Sequence, residues 1–295
     1  MKQLLLLLIL ISGICNTYAQ TNCLVFKDGA HIKACEFYNE AINHPQRSKE
    51  SQELFIRSIN ACPIYAPSLQ EISVPYLKRG DFYTWKIFID RAVAADPQGY
   101  LGVRGWCLFK FLRDYQNAAI DLDKLYKLTN GEPGFSGDGD YDLRVVMALC
   151  EREMGNYKKS IAYFDNCISK PLGSSRVGLF DYLHRGVTKL KVKDYSSALA
   201  DMQSEIRIYP KLAEAWYYLG VIQKHLQKTA EAQASFTKAK ELYAKTGYHM
   251  NDPYCELLDQ VYLSDIDRQL AANRHNNKPI RAKGLNGLKS TSRIY

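Results

Sequence analysis

Carboxylates are concentrated in one glycine-rich stretch of this 295-residue chain. Asp138, Asp140 and Asp142 alternate there as oxygen ligands do in a calcium-binding loop. However, Leu143 stands where such a loop needs glycine, and Leu149 stands where it needs a bidentate glutamate. The pattern therefore favours an insertion between two helices, whose acidic residues stabilise the positively polarised start of the next helix.

A second group of potential metal ligands lies near the N-terminus. His31 and Cys35 are four residues apart, which would place both on one face of a helix, and Cys23 and His44 are nearby. Four loosely spaced candidates are weak evidence for a metal site. No metal and no cofactor are predicted.

Motifs for catalysis are lacking in the sequence. There is no HExxH, GxSxG, GxGxxG or phosphate-cradling Gly-Lys-Ser/Thr segment. Paired carboxylates such as Asp121/Asp123 and Asp265/Asp267 are two residues apart on predicted helices, so their side chains point in different directions. The sequence predicts a protein that is not an enzyme.

The first residues predict an export signal. A lysine precedes an apolar run from Leu4 to Ile11, and small or semi-polar residues then lead to Ala19. We expect residues 1–19 to be a signal peptide and residues 20–30 to be the mature N-terminal segment. A lipoprotein acylated at Cys15 is the alternative, which bulky Ile14 disfavours because the processing peptidase prefers a small residue there. No later segment reaches the roughly 20 apolar residues that span a membrane, so the mature chain is expected to be periplasmic or secreted.

Positive charge is concentrated at the C-terminus. Residues 273–295 contain six basic residues and no acid, whereas the rest of the mature chain is nearly neutral. Such a tail is expected to be solvated and disordered. Charge attraction would allow it peripheral contact with anionic envelope surfaces, and export argues against nucleic acid as a partner.

Cysteine pairing is expected in an exported chain. Removal of Cys15 with the signal leaves seven of the eight cysteines, an odd number, so at least one cannot pair within the chain. The pairing to test first is Cys23–Cys35, which would fasten the mature N-terminus to the first helix.

The elements that position these residues follow an internal repeat. Tyr182 recurs as Trp216 and Gly186 as Gly220, each 34 residues later. A period of 34 is typical of the tetratricopeptide repeat, a pair of antiparallel helices. Proline at Pro63, Pro97 and Pro210 is expected to end the second helix of a pair.

The sequence resembles the tetratricopeptide repeat family over residues 31–246, most closely in the last unit. The residues at the family's signature positions in that unit are Trp216, Leu219, Gly220, Ala232, Phe236 and Ala239. The resemblance implies an all-α solenoid of about six helix-turn-helix units. A C-terminal capping helix is predicted over residues 252–272, because Asp252-Pro253 is a typical helix start. Its apolar stripe would be Leu257, Leu258, Val261, Tyr262, Ile266 and Leu270.

Members of this family usually bind extended peptides or partner helices on a concave face, which is lined by the first helix of each unit. The resemblance places eleven residues on or beside this face: Trp106, Phe109, Val146, Leu149, Leu183, His184, Val187, Tyr217, Tyr218, Val221 and Lys224. Arg152 is expected near the end of a lining helix. The lysines with which chaperone-binding members hold a terminal carboxylate are replaced here by Gln70, Val145, Leu183 and Tyr217. Apolar stripes of this kind equally serve as packing between units.

These observations predict a non-catalytic scaffold or adaptor of the cell envelope, which binds a peptide or helix of another protein on the concave face. The alternative is a receptor for a small ligand such as a glycan, with Trp106, Tyr217 and Tyr218 as stacking platforms.

Overall fold

The computed structural model describes residues 20–170, 177–245 and 247–276, with side chains up to residue 272. In these residues the chain forms thirteen α-helices and no strand, which confirms the predicted all-α fold. The predicted signal peptide (1–19) and most of the predicted basic tail (273–295) lie outside the described residues. None of the described helices is long and apolar enough to cross a membrane. The chain divides into two compact units at residue 137.

The first unit contains three antiparallel helical hairpins. They are α1 (Gly29–Ala41) with α2 (Lys49–Ala61), α3 (Ala66–Lys78) with α4 (Phe82–Ala95), and α5 (Pro97–Cys107) with α6 (Tyr115–Leu128). A 3-10 turn (Cys23–Val25) precedes α1, and a π-helical turn (Leu108–Leu112) extends α5. As predicted, Pro63 and Pro97 directly follow the second helices α2 and α4.

The second unit contains three further hairpins and a terminal helix. They are α7 (Leu143–Glu153) with α8 (Tyr157–Ser169), α9 (Asp181–Lys191) with α10 (Tyr195–Ile208), and α11 (Ala213–His225) with α12 (Thr229–Tyr243); α13 (Leu263–Asn276) packs against α12. Six hairpins in the described residues agree with the predicted number of about six units.

The helices of a hairpin are joined by a recurring tight turn. In two examples, Arg113–Asp114 and Lys193–Asp194, the first residue has a positive φ (54° and 64°). The aspartate that follows is the N-cap, and its side chain accepts the backbone N–H of the residue three positions further on. This reverses the chain and satisfies one of the unpaired N–H groups at the start of the second helix.

Close packing within a hairpin depends on small residues at the signature positions. In the last hairpin, a Cβ atom on Gly220 would lie 2.7 Å from Cε1 of Phe236. The absence of a side chain at Gly220 therefore allows the Phe236 ring, which is fully buried, to fill the space between α11 and α12.

A disulfide bond joins Cys23 to Cys35 and confirms the predicted pairing. It fastens the 3-10 turn to α1, so these two sulfurs do not serve as metal ligands. Nδ1 of His31 lies 2.9 Å from the carboxylate of Asp28, the N-cap of α1. No group of three or more His, Cys, Asp or Glu side chains is arranged as a metal site in the described part of the chain.

The terminal helix begins at Leu263, so the predicted start at Asp252 is wrong. The carboxylate of Asp252 accepts the N–H groups of Tyr254 and Cys255 in a local turn, at 2.8 and 3.0 Å. Asp259 has a φ of 64°, which a right-handed helix does not accommodate. Residues 247–262 instead form an irregular stretch between α12 and α13, which we call the connecting segment.

Candidate functional site

The connecting segment lies along α7, α9 and α11, the first helices of the three hairpins in the second unit. We call the surface formed by these helices the inner face. Two hydrogen bonds attach the backbone of the segment to α11, one to the backbone of Ala213 and one to the side chain of Glu214. The N–H of Ala213 donates to the carbonyl of Tyr248 at 2.8 Å, and the N–H of Met250 donates to Oε1 of Glu214 at 2.9 Å.

Apolar side chains anchor both ends of the segment. Met250 is buried in a cluster with Leu183 and Val187 of α9, and Leu257 packs against the same cluster. Val261 is buried in a second cluster, which contains Phe236 of α12 and Ile266 of α13. Burial of this kind stabilises the bound segment by about 1.5–3 kcal/mol for each fully covered side chain.

A buried carboxylate is the main polar contact between the segment and the inner face. Oδ2 of Asp259 lies 2.6 Å from Nη1 of Arg152 in α7 and 2.6 Å from Nδ1 of His184 in α9. The side chains of Asp259, Arg152 and His184 are only 6%, 1% and 0% exposed. Burial alone would raise the pKa of Asp259, but the adjacent Arg152 and His184 lower it to about 2. Asp259 is therefore an anion, and Nδ1 of His184 donates to it.

The surroundings of this carboxylate are otherwise aromatic, apart from one further acid. The ring of Tyr141 stacks on His184 with centroids 5.8 Å apart, and Phe180 meets the same imidazole edge-on. Oε1 of Glu153 accepts from Nε of Arg152 at 2.8 Å. The guanidinium of Arg152 is thus shared between a carboxylate on its own helix and the carboxylate of the connecting segment.

One polar atom of the inner face is not satisfied by the connecting segment. Nε2 of His184 is buried without a hydrogen-bond partner among the described residues. Glu214 is better satisfied: burial raises its pKa to about 7, although backbone N–H groups, including those of Met250 and Val261 in the segment, oppose this shift. A buried polar atom that lacks a partner costs about 1–3 kcal/mol, so the segment fits this face imperfectly.

Comparison with known proteins agrees with this architecture. Residues 214–246, which include all of α12 and nearly all of α11, match the family model for the tetratricopeptide repeat. These residues therefore form a tetratricopeptide repeat, and the chain has the fold of tetratricopeptide repeat solenoids. No curated protein shows a significant match to it.

Solved structures of tetratricopeptide repeat proteins share the fold at low sequence identity. PilW, described as a widely conserved type IV pilus biogenesis factor, has a TM-score of 0.57 and 13% identity, with coverage of 73% of this chain and 96% of PilW. PilF of Pseudomonas aeruginosa has a TM-score of 0.55 and 13% identity, with coverage of 75% and 96%. YrrB, described as having an unusual peptide-binding site, has a TM-score of 0.50 and 14% identity, with coverage of 67% and 96%.

Seven of the predicted site residues are buried in this repeat protein. In the first unit, Trp106 and Phe109 stack on each other with ring centroids 5.6 Å apart, and both are about 95% covered. In the second unit the buried members are Val146, Leu149, Leu183, His184 and Val187. His184 contacts Asp259, while Leu183 and Val187 pack with Met250, so the connecting segment contacts part of the predicted surface.

The other four predicted residues lie beside α13. Tyr217, Tyr218 and Val221 are half-buried and pack against the cluster that contains Val261 and Ile266. Lys224 is exposed, and its Nζ donates to Oε1 of Gln269 at 3.0 Å. Contact of these residues with another protein stays a prediction.

Of the residues that make polar contacts with the segment, His184 was predicted on the concave face and Arg152 near a helix end, and the others were not predicted. Glu214 and Asp259 carry no motif. The dipeptide Asp252-Pro253 and the preceding Asn251 are also a common turn signal, which could have indicated an irregular segment. The pairing of Asp259 with Arg152 depends on the folded structure, because the two residues are 107 positions apart.

Proposed function

We propose that this repeat protein is a non-catalytic interaction scaffold of the cell envelope, which binds a peptide or helical segment of another protein on its inner face. The observation that carries the proposal is that the inner face of the second unit already holds a stretch of irregular polypeptide. It binds this stretch through hydrogen bonds of Ala213 and Glu214 to its backbone, apolar contacts, and one buried carboxylate.

The chemistry of this face suits a polypeptide better than a small ligand. Polar groups that pair with backbone N–H and C=O groups supply affinity for any extended chain, and apolar pockets for selected side chains supply specificity. YrrB, which shares the fold, is described as a peptide-binding protein. The same use of the scaffold is therefore physically reasonable for this chain.

Export is supported by two independent features. The first 19 residues have the composition of a signal peptide. The disulfide between Cys23 and Cys35 is the kind of bond that persists in a periplasmic or extracellular environment and is rare in a reducing cytosol.

The glycan-receptor alternative needs aromatic rings that face solvent. Trp106 is only 4% exposed, and Tyr217 and Tyr218 pack edge-to-face with centroids 5.2 Å apart beside α13. The Trp106 ring offers no open stacking surface and the two tyrosine rings are partly covered, so the peptide-binding function is preferred.

Selection of random peptides tests the proposed function. Phage-displayed 12-residue peptides would be selected on the immobilised full chain, and each selected peptide would then be titrated into Lys224→Glu and Lys238→Glu variants. Both lysines are exposed, but Lys224 borders the inner face, whereas Lys238 lies on α12 and pairs with Glu241. We expect Lys224→Glu alone to weaken binding about threefold or more, since an edge charge mainly alters association.

A thermal-shift screen with soluble oligosaccharides provides the opposing readout. A ligand that binds only the folded state raises its melting temperature, and the increase grows with the logarithm of the free ligand concentration relative to its Kd. If the selection yields no binding peptide and an oligosaccharide stabilises the chain, the peptide-binding proposal is overturned in favour of a glycan receptor. Peptides that bind both lysine variants equally would place the site away from this part of the inner face.

A further inference from the structure

The charges of the inner face require an anion at one position. Arg152 and His184 belong to different helices, are almost completely buried, and converge on a single oxygen, Oδ2 of Asp259. Glu153 accepts from one side of the Arg152 guanidinium, and Asp181 is close enough to His184 to interact with it electrostatically, as the rings of Tyr141 and Phe180 do by stacking. Removal of Asp259 from this position would leave Nη1 of Arg152 and Nδ1 of His184 buried without the acceptor that they share, which is unfavourable. The position therefore selects a carboxylate.

The connecting segment supplies this carboxylate at a conformational cost. Asp259 adopts a left-handed backbone conformation, with a φ of 64°, which costs a non-glycine residue of order 1 kcal/mol or more. In addition, Nε2 of His184 stays buried without a partner while the segment is bound. An extended peptide that carried a carboxylate without this strain, and that reached Nε2 of His184, would fit the face better than the chain's own segment.

The segment is held by its two ends and is exposed between them. Met250 and Val261 are buried, whereas Pro253, Tyr254 and Glu256 in the middle are exposed. The hairpins also pack within themselves, as in the Gly220–Phe236 contact between α11 and α12, and the segment adds Met250, Leu257 and Val261 to their clusters. Regions with few buried contacts open at lower free energy than the hairpins around them.

We propose that the Arg152–His184 position recognises a side-chain carboxylate in an extended, partly apolar segment of a partner protein, and that the connecting segment is a displaceable substitute for this partner. The inference rests on the proposed function, because it names the chemistry of the peptide that the inner face binds. Its recognition pattern is read from the bound segment: apolar residues at the positions of Leu257 and Val261, with an acidic residue between them.

Competition within the chain determines how this must be tested. A covalently attached segment acts at an effective concentration in the millimolar range. A peptide added to the wild-type chain therefore binds weakly, and its affinity should rise when the attached segment is weakened. This increase is the signature of competition for one position, since a peptide that bound elsewhere on the chain would give no such gain.

The probe is a fluorescein-labelled peptide of residues 247–262, with Cys255→Ser and an amidated C-terminus, so that its carboxylates are side chains only. Fluorescence anisotropy would measure its binding to the full chain as wild type, Asp259→Asn, Leu257→Ala and Asp267→Asn. Leu257→Ala weakens the segment without uncovering a buried charge. Asp267→Asn is the matched control, because Asp267 forms an ion pair with Lys240 in which both side chains are about half exposed.

We expect the Asp259→Asn and Leu257→Ala chains to bind the peptide at least about tenfold more tightly than the wild-type chain does. The Asp267→Asn chain should bind it as weakly as the wild type. A peptide that itself carries Asp259→Asn should lose about tenfold in affinity for the Leu257→Ala chain. Equal binding by all four chains, or equal binding of the two peptides, would overturn the inference. Circular dichroism identifies any variant that fails to fold.

Hydrogen exchange of the wild-type chain gives a readout that needs no substitution. Displacement requires the amides of Met250 and Val261 to exchange faster than the amides in the middle of α11. Exchange of all of them at one common rate would show that the segment opens only with the whole unit and would overturn the inference. Peptides from the random selection could still depend on Lys224 in that case, so failure of this inference is distinguishable from failure of the proposed function.

Discussion

Asp259 and Arg152 are 107 positions apart in the sequence, yet Oδ2 of Asp259 lies 2.6 Å from Nη1 of Arg152. The same oxygen also accepts from His184. One carboxylate thus connects the stretch before α13 with α7 and α9, the first helices of two different hairpins. This contact is nonlocal, buried and charged, which makes it sensitive to the loss of any one member.

Asp259→Asn should destabilise the second unit. An asparagine leaves Nη1 of Arg152 and Nδ1 of His184 buried without the carboxylate that they share, while Glu153 still pairs with Arg152. Loss of one partner from a buried ion pair costs about 3–5 kcal/mol, and we expect a loss near the lower end of this range. Urea unfolding followed by circular dichroism would measure the free energy of unfolding. Asp267→Asn removes an exposed carboxylate that lies 2.6 Å from Lys240 and should cost about 0–1 kcal/mol. Similar losses in the two variants would contradict the role given to burial.

The repeat period was sufficient to predict the hairpins. Period 34 identified Gly220 as a position of close helix approach, and the structure places it against Phe236. Prolines such as Pro63 and Pro97 indicated where second helices end, since proline lacks the N–H that continues a helix. These features are local or recur at a fixed spacing, so a single sequence is enough to reveal them.

The connecting segment was not predictable in the same way. Leu258, Tyr262 and Ile266 are each four residues apart, a spacing compatible with a helix, and local sequence therefore favoured one. Contacts with distant residues decided the outcome: Glu214 binds the N–H of Met250, and Arg152 binds Asp259. The repeat register likewise assigns residues to the inner face but does not reveal which of them a later segment will contact.

Stability should fall as pH rises from about 4.5 to 8. Glu205 is buried, and its Oε2 accepts the N–H of Leu183 at 3.0 Å. Burial, aided by the nearby Asp181 and Asp201 carboxylates, raises its pKa from 4.5 to about 8, and burial raises the pKa of Glu214 to about 7. Between pH 4.5 and these values the folded chain binds more protons than the unfolded chain, so its free energy of unfolding decreases as pH increases.

Glu205→Gln tests this assignment. The variant cannot release a proton at position 205, so its melting temperature should change less between pH 5 and pH 8 than that of the wild type. Glu231→Gln, at an exposed carboxylate on α12, is the control and should retain the wild-type pH dependence. Asp259 has the opposite effect on stability, and only in acid. Because its pKa is lowered to about 2, its contribution to the free energy of unfolding is lost as pH falls below about 4. An unchanged pH profile in Glu205→Gln would refute the assignment.

The disulfide between Cys23 and Cys35 should stabilise the first unit. The two cysteines are 12 positions apart. Closing a loop of this length lowers the conformational entropy of the unfolded chain, which raises the free energy of unfolding by about 3 kcal/mol. The double variant Cys23→Ser, Cys35→Ser should therefore unfold at a lower urea concentration. Added reductant should destabilise the wild type to a similar extent and leave the double variant unchanged. A further loss in the double variant would reveal a second disulfide, contrary to the described cysteines.

Gly220→Ala should destabilise the last hairpin even though alanine is the better helix former. The new Cβ would lie 2.7 Å from Cε1 and 2.8 Å from Cδ1 of Phe236, whose ring is fully buried and has little room to move. Overpacking of this kind costs about 1–3 kcal/mol. Gly29→Ala, at the first residue of α1, is the control because nothing lies within 4 Å of its Cβ position. We expect that substitution to be neutral or to stabilise the chain by up to about 1 kcal/mol, through the smaller entropy of the unfolded state. If Gly220→Ala lowers the free energy of unfolding no more than Gly29→Ala does, α11 and α12 can move apart without cost. The close approach of the two helices would then not depend on glycine.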